Sequence, residues 1–286
     1  MKTFHHNDPD GRLAAFCVLH YYNQNTECFE INYNIPFPFD KIQKDEEVWI
    51  VDFSIKPDEM KKLLEITSNV VWCDHHKTSI AAYKDFGADI KGLRQDGLAG
   101  CVLTYMFIHG LKGDTAKEVP FFIQLVGDWD AWTWNKPEGF GEKSKRFYHG
   151  LFAHDTNPHA KVWKLLAANE DEKLGTGNVI EGISSQGDVV LNYRKEYYRN
   201  YLKSWGRECT LKGYKCIAMN SAQTGSESFE SVFDKGYDIF ISYVHDGKKF
   251  VVSLYSTTVD VSEIAKSFGG GGHVGASGME VKELPF

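Results

Sequence analysis

The sequence predicts a two-domain α/β protein, and three observations carry that expectation. Through the first half of the 286 residues, short apolar runs alternate with helix-like stretches, the signature of a parallel sheet. Residues 177–207 then read as one long helix, polar on one side. From about 208 the chain changes to strand-like runs separated by turn residues, closed by a single amphipathic helix. The expected division is a parallel-sheet domain over 1–176, a helical linker over 177–207 and a smaller α+β domain over 208–286.

Each element has its own signal. Residues 2–6 (KTFHH) read as a first strand, and Leu13, Phe16, Cys17 and His20 fall near helical spacing in the stretch that follows. VWIVDF at 48–53 and VVWCD at 70–74 are apolar enough for buried parallel strands. Between them, Met60, Leu63, Leu64 and Ile66 mark one side of a helix over 57–67. Residues 98–110 predict another helix, ended by Gly110. VPFFIQLVGDWD at 119–130 fits helix or strand. In the last part, YKCIAMN, DIFISYVHD and KFVVSLYS read as strands, and Val261, Ile264, Ala265 and Phe268 form the stripe of the final helix.

Composition narrows the function classes. Hydrophobic content of 42% and charged content of 25% are those of an ordinary globular protein. No apolar run approaches the roughly 18 residues of a membrane span, and MKTFHHNDPDG lacks the apolar stretch of a signal peptide. The expectation is a soluble, cytoplasmic protein with no membrane partner. Cysteines 17, 28, 73, 101, 209 and 216 form no CxxC pair and read as buried free thiols. A formal net charge of −7 argues against a surface that coats long duplex nucleic acid. A small anionic substrate still fits if local cations serve it.

The chemistry concentrates at strand ends. The first strand runs into His6, Asp8 and Asp10, the second ends at Asp52, the third at Asp74, His75 and His76, and GDWD carries Asp128 and Asp130. In a parallel sheet, ligands bind beyond the carboxyl ends of the strands, so these residues converge on one edge. An aspartate ending a single strand is most often a turn former or helix cap. Several together repel one another unless divalent cations are present. Two ions roughly 3.5–4 Å apart, bridged by a carboxylate, activate water for in-line displacement at phosphorus. The mixed oxygen and imidazole shell suits Mn2+ better than Mg2+ or Ca2+, and zinc or iron also accept it.

In order, HHNDPDG, VDFS, CDHHK and GDWD resemble the four motifs of the DHH phosphoesterase family, whose namesake is the triplet Asp74-His75-His76. FGGGGHVGASG near the C-terminus resembles the glycine-rich signature of the DHH-associated substrate-binding domain. The resemblance implies a parallel-sheet catalytic domain, a helical linker and a small substrate-binding domain. It implies that Asp8 and Asp10 each hold one metal, that Asp52 bridges both, and that His75 is a ligand while His76 faces the substrate phosphate. Asp74 orients an imidazole, and Asp128 matches the last metal-binding acid better than Asp130. Some family members place a ligand histidine four residues before the first aspartate, where this chain has Phe4. With the spacing HxDxDG, His6 is the candidate ligand here; its neighbour His5 should face the other side of the strand, unless the loop reverses that choice.

Four glycines followed by His273 exceed what a helix cap requires. Backbone without side chains can approach a phosphate and offer N–H donors, so Gly270, Gly271, Gly272 and His273 are the candidate substrate-binding segment. Where many such domains have an arginine, this chain has Tyr255, which cannot supply a guanidinium fork. Trp129, Trp132 and Trp134, and the tyrosines of the linker, read as packing before base stacking.

The expected function is that of a nanoRNase-like phosphodiesterase. It would hydrolyse short oligonucleotides or dinucleotides to nucleoside monophosphates, with two divalent ions, Mn2+ foremost and Mg2+ next. Alternatives are hydrolysis of linear or cyclic dinucleotides, or of nucleoside bisphosphates; pyrophosphate hydrolysis and a silent nucleotide-binding module rank lower. A homodimer is left open.

Overall fold

A computed structural model describes residues 1–33, 35–113, 118–171, 176–222 and 224–286, without the side chains of 169–171, 176–178 and 273. Two compact units emerge, Met1–Val190 and Leu191–Phe286.

The first unit is built on a parallel sheet of β1 (Lys2–His5), β2 (Glu27–Glu30), β3 (Val48–Val51) and β4 (Val70–Cys73), in the order β2-β1-β3-β4. Helix α1 (Pro9–Tyr21) leads from β1 to β2, and α2 (Pro57–Ile66) leads from β3 to β4. The strand order therefore reverses between β1 and β3, which makes their ends the switch point of the sheet.

Alternation along the strands feeds two cores. Trp49, Val51, Val71 and Cys73 face one side with α1 and with α4 (Gly100–His109), α5 (Phe121–Asp130) and α6 (Glu142–Leu151). Phe4, Val48, Ile50, Val70 and Trp72 face the other, against Met60 and Leu63 of α2. Both faces of the sheet are covered, so its strands read as continuous apolar runs. α3 (Lys77–Ala82) and α7 (Lys161–Asp171) complete the unit's helices before the long α8.

Residues 119–130, ambiguous by pattern, contain the helix α5. Gly110 closes α4 in the left-handed conformation, as its position predicts. The weakly apolar β2 carries no strand signal of its own; pairing with β1 makes it a strand.

α8 runs from Thr176 to Trp205 and continues into the second unit, whose sheet has the order β5-β6-β7-β8-β10-β9. These strands are β5 (Arg207–Leu211), β6 (Tyr214–Asn220), β7 (Ile239–His245), β8 (Phe250–Tyr255), β9 (Gly271–His273) and β10 (Ala276–Val281). α9 (Val261–Lys266), capped by Asp260, packs over Ile239, Ile241, Val252 and Leu254. Leu202 of α8 joins Ile217, Met219 and Phe240 on the opposite face. All six cysteines are free thiols. Among the described residues no helix is long and apolar enough to cross a membrane.

Candidate metal centre

Register decides what meets at the sheet edge. His5, Val51 and Cys73 are aligned across β1, β3 and β4, so the next residues leave the sheet side by side. Those residues are His6, Asp52 and Asp74. The Asp52 N–H still donates to the Cys73 carbonyl at 2.9 Å, and then its φ of 51° turns the chain sharply out of the sheet. An aspartate tolerates that left-handed conformation better than most residues.

Asp8 and Asp10 are set by the start of α1. Asp8 is the N-cap and accepts from the Gly11 N–H at 2.9 Å, with Pro9 supplying the first helical position. Its other oxygen accepts from Nδ1 of His6 at 2.6 Å. Burial works against the Asp8 carboxylate, but the His6 bond and charge and the Gly11 N–H outweigh it, so Asp8 titrates below an ordinary carboxyl. Asp10, fully buried, accepts from the N–H groups of Gly100 and Cys101 at 2.7 and 2.8 Å. These are orphan donors in the first turn of α4, whose own N-cap, Ala99, has no side-chain acceptor. Gly100 also lies against Asp52: a Cβ there would fall 2.4 Å from the Asp52 Cβ.

Asp74 organises the triplet. Its Oδ1 accepts from Nδ1 of His76 at 2.7 Å and from the His75 N–H at 2.9 Å, while Oδ2 accepts from the Ser54 hydroxyl. Burial penalises the Asp74 charge, yet these partners hold its carboxyl below the usual range. Burial likewise disfavours a charged His76, but Asp74 prevails and the imidazole titrates above an ordinary histidine. His75 points its Nε2 elsewhere, to 3.2 Å from Asp52 Oδ1 and 3.3 Å from Asp130 Oδ2.

Asp52 sits at the centre. It is 1% exposed, and neither of its buried oxygens has a hydrogen-bond partner. Burial, then the charges of Asp10, Asp8, Asp130 and Asp74, push its carboxyl well above the usual range. A buried carboxylate without a hydrogen bond among other acids is what a cation relieves. Among the described residues, ligand atoms within 4.8 Å of one another form three groups: His6, Asp8 and Asp52; Asp10, Asp52, His75 and Asp130; and Asp52, His75 and His76. Asp52 belongs to all of them, and the donors are the oxygen and imidazole types that divalent transition ions accept. The residues present therefore fit such an ion.

Two sequence choices meet a geometric answer here. His6 joins the cluster, whereas His5 is buried, with its Nδ1 2.7 Å from the His6 carbonyl oxygen. Asp130, not Asp128, joins Asp10 and His75. Residues two apart on a helix point some 200° apart, so once 121–130 is helical only one of the two aspartates can face the cluster. Asp128 points away, where Thr133 Oγ1 donates to it at 2.6 Å, the Phe140 N–H at 2.9 Å, and Ser144 adds a third bond. It ties down the loop after α5. Trp129 stacks on Trp134 at 5.1 Å and packs beside Tyr148, so these rings support the site from within.

No family model matches the chain. Over 98% of its length it is 22% identical to oligoribonuclease NrnB of Bacillus subtilis (strain 168), covering 72% of that protein. The fold is similar to the DHH domain of a member of the s1p family of ribosomal proteins, with a TM-score of 0.60 at 13% identity, covering 98% of this chain and 82% of that one. The fold is that of a DHH domain. A further neighbour in fold is RecJ from Thermus thermophilus, solved in complex with Mn2+. Its TM-score is 0.50 at 12% identity, and the match covers 98% of this chain and 49% of that one.

The glycine-rich segment lies in the second unit. Gly271–His273 is the edge strand β9, paired antiparallel to β10. The His273 side chain lies outside the described part of the structure. Tyr255 donates its hydroxyl to the Thr224 carbonyl and packs against Phe229, so its polar end is engaged inside the unit. Sequence reading passed over Ser54 and Gly100. Neither has a motif signal, because one acts by a single hydroxyl and the other by its backbone.

Proposed function

We propose that this protein is a metal-dependent phosphodiesterase that hydrolyses short oligonucleotides to nucleoside monophosphates. The observation that carries the reading is Asp52, common to every ligand group among the described residues, with both oxygens buried and without a hydrogen bond. His6, Asp8 and Asp52 would hold one ion, and Asp10, Asp52, His75 and Asp130 a second, with Mn2+ the favoured metal. Such ions supply a nucleophilic water at neutral pH and offset charge on the phosphoryl oxygens. His76, held by Asp74 and with a third of its side chain exposed, is placed to donate to a phosphate oxygen. The fixed imidazole needs no reorganisation when charge develops there. NrnB is named an oligoribonuclease, and RecJ binds Mn2+; both support the short-oligonucleotide and manganese readings. In the second unit, Gly270, Gly271 and Gly272 are the proposed anion-binding segment; Gly271 and Gly272 lie on an edge strand, which leaves N–H groups on its outer side without a strand partner, while the Gly270 N–H donates to the Ala265 carbonyl and Gly270 would offer only close approach.

The test is hydrolysis of a labelled dinucleotide with Mn2+, comparing wild type with Asp52→Ala and His75→Ala. Release of mononucleotide by wild type and its loss in both variants is expected. Equal turnover by all three would overturn the site.

A further inference from the structure

We propose that Tyr33 is a specificity-determining residue whose ring stacks on the nucleobase attached to the phosphate held at the metal centre. The inference rests on the nucleotide reading of the site and adds to it the group that selects a nucleotide over a bare sugar phosphate.

Tyr33 stands on the loop after β2, at the rim of the cluster. Its ring centroid is 5.8 Å from that of His6 and 6.1 Å from that of His76. The ring is held from one side. It stacks on Phe53, one residue beyond Asp52, with centroids 4.4 Å apart and planes at 26°. Even so, 54% of the residue is exposed. Tyr148 is buried, and Trp129, half-buried, packs against it and on Trp134.

That combination is unusual for a loop tyrosine. An anchored ring has already given up its freedom, so a second stacking partner costs little further ordering. On the side facing the cluster its neighbours are the imidazoles of His6 and His76 and the carboxylates beyond them, which recognise phosphate. Phosphate is common to a nucleotide, a sugar phosphate and inorganic phosphate, so those groups cannot tell the three apart. A flat apolar face can, because the base is the substrate's only large neutral part. One sugar separates phosphate from base, which matches a ring beside His76 and not within the cluster. Stacking of this kind tolerates every base, since each has a π-face.

The experiment measures binding of AMP and of ribose 5-phosphate by calorimetry to the Mn2+-loaded protein, in wild type, Tyr33→Ala and Tyr33→Phe. Wild type should prefer AMP by roughly five- to a hundredfold, the range that one base–aromatic stack supplies. Tyr33→Ala should bring that ratio near one by weakening AMP alone. Tyr33→Phe, which keeps the ring and the Phe53 contact, should retain most of it. An unchanged preference in Tyr33→Ala, an equal loss of both ligands, or no preference in wild type would each overturn the proposal. Binding is read without turnover, so failure of wild type to cleave a dinucleotide counts against the proposed function and is distinguishable from failure here.

Discussion

At the edge of the parallel sheet the working groups are side chains, whereas in the six-stranded sheet the glycine-rich segment offers backbone alone. The first unit gathers Asp8, Asp10, Asp52, His75 and Asp130 by register and helix phase, and it leaves Asp52 without a hydrogen bond. The second unit satisfies its glycines internally: Gly271 and Gly272 pair with Gly278 and Ser277, and a Cβ on Gly272 would fall 2.7 Å from the Ala276 carbonyl oxygen. Both Asp52 oxygens lack a hydrogen bond at the place where chemistry is proposed, whereas glycine in the other unit has a packing reason of its own. A glycine run is thus weaker grounds for a ligand site than a buried, orphaned carboxylate.

The sharpest way to break this comparison is the pair on α5. Asp130→Ala should lower Mn2+ affinity and dinucleotide turnover by more than about a hundredfold, beyond the range for partners that only support a ligand. Asp128→Ala should leave Mn2+ affinity within a few fold and instead lower stability by roughly 1–3 kcal/mol, because Thr133, Ser144 and the Phe140 N–H lose their acceptor. Titration with Mn2+ followed by thermal melting separates the two, and the reverse pattern would show the helix phase to be wrong.

Gly100→Ala comes next. The added methyl has no room beside Asp52, and displacing a central ligand by an ångström should cost about a hundredfold in turnover. Wild-type turnover in this variant would mean that Asp52 is not where the chemistry depends on it.

The pH dependence is gentler and follows from charge. Burial, then Asp10 and Asp8, hold the Asp130 carboxyl well above its ordinary range, and Asp52 is raised in the same way. A carboxyl raised in the folded state stabilises the metal-free fold below its unfolded value, and that contribution is lost as pH climbs through the folded value. A ligand must also shed its proton before it binds. Mn2+ affinity should therefore rise with pH between the ordinary carboxylate range and the raised values, by about tenfold per unit for each proton released. Calorimetry in buffers of different ionisation enthalpy counts those protons; no proton release on binding would contradict the shifts.

The smallest effect is expected in the second unit. Gly272→Ala, at a φ of 143°, should reduce stability by about 1–3 kcal/mol and leave Mn2+ affinity unchanged, read by melting with and without metal.

Sequence alone determined the α/β class, the main apolar strands and the identity of most of the cluster, because those depend on local pattern and on residue chemistry. His6, Asp8, Asp10, Asp52, Asp74, His75 and His76 were legible since each follows a strand whose apolar run announces it. Tertiary structure decided what local pattern does not encode. Helix phase brought Asp130 to the cluster and sent Asp128 to a loop. Pairing made strands of β2, β5, β9 and β10, whose own residues carry weak strand signals. Backbone donors from α4 came to Asp10 across some ninety residues of chain, and only a fold brings such partners together. Tyr33 gained its place by packing on Phe53, a contact no spacing rule contains, because side chains of separate loops meet only where the sheet puts them.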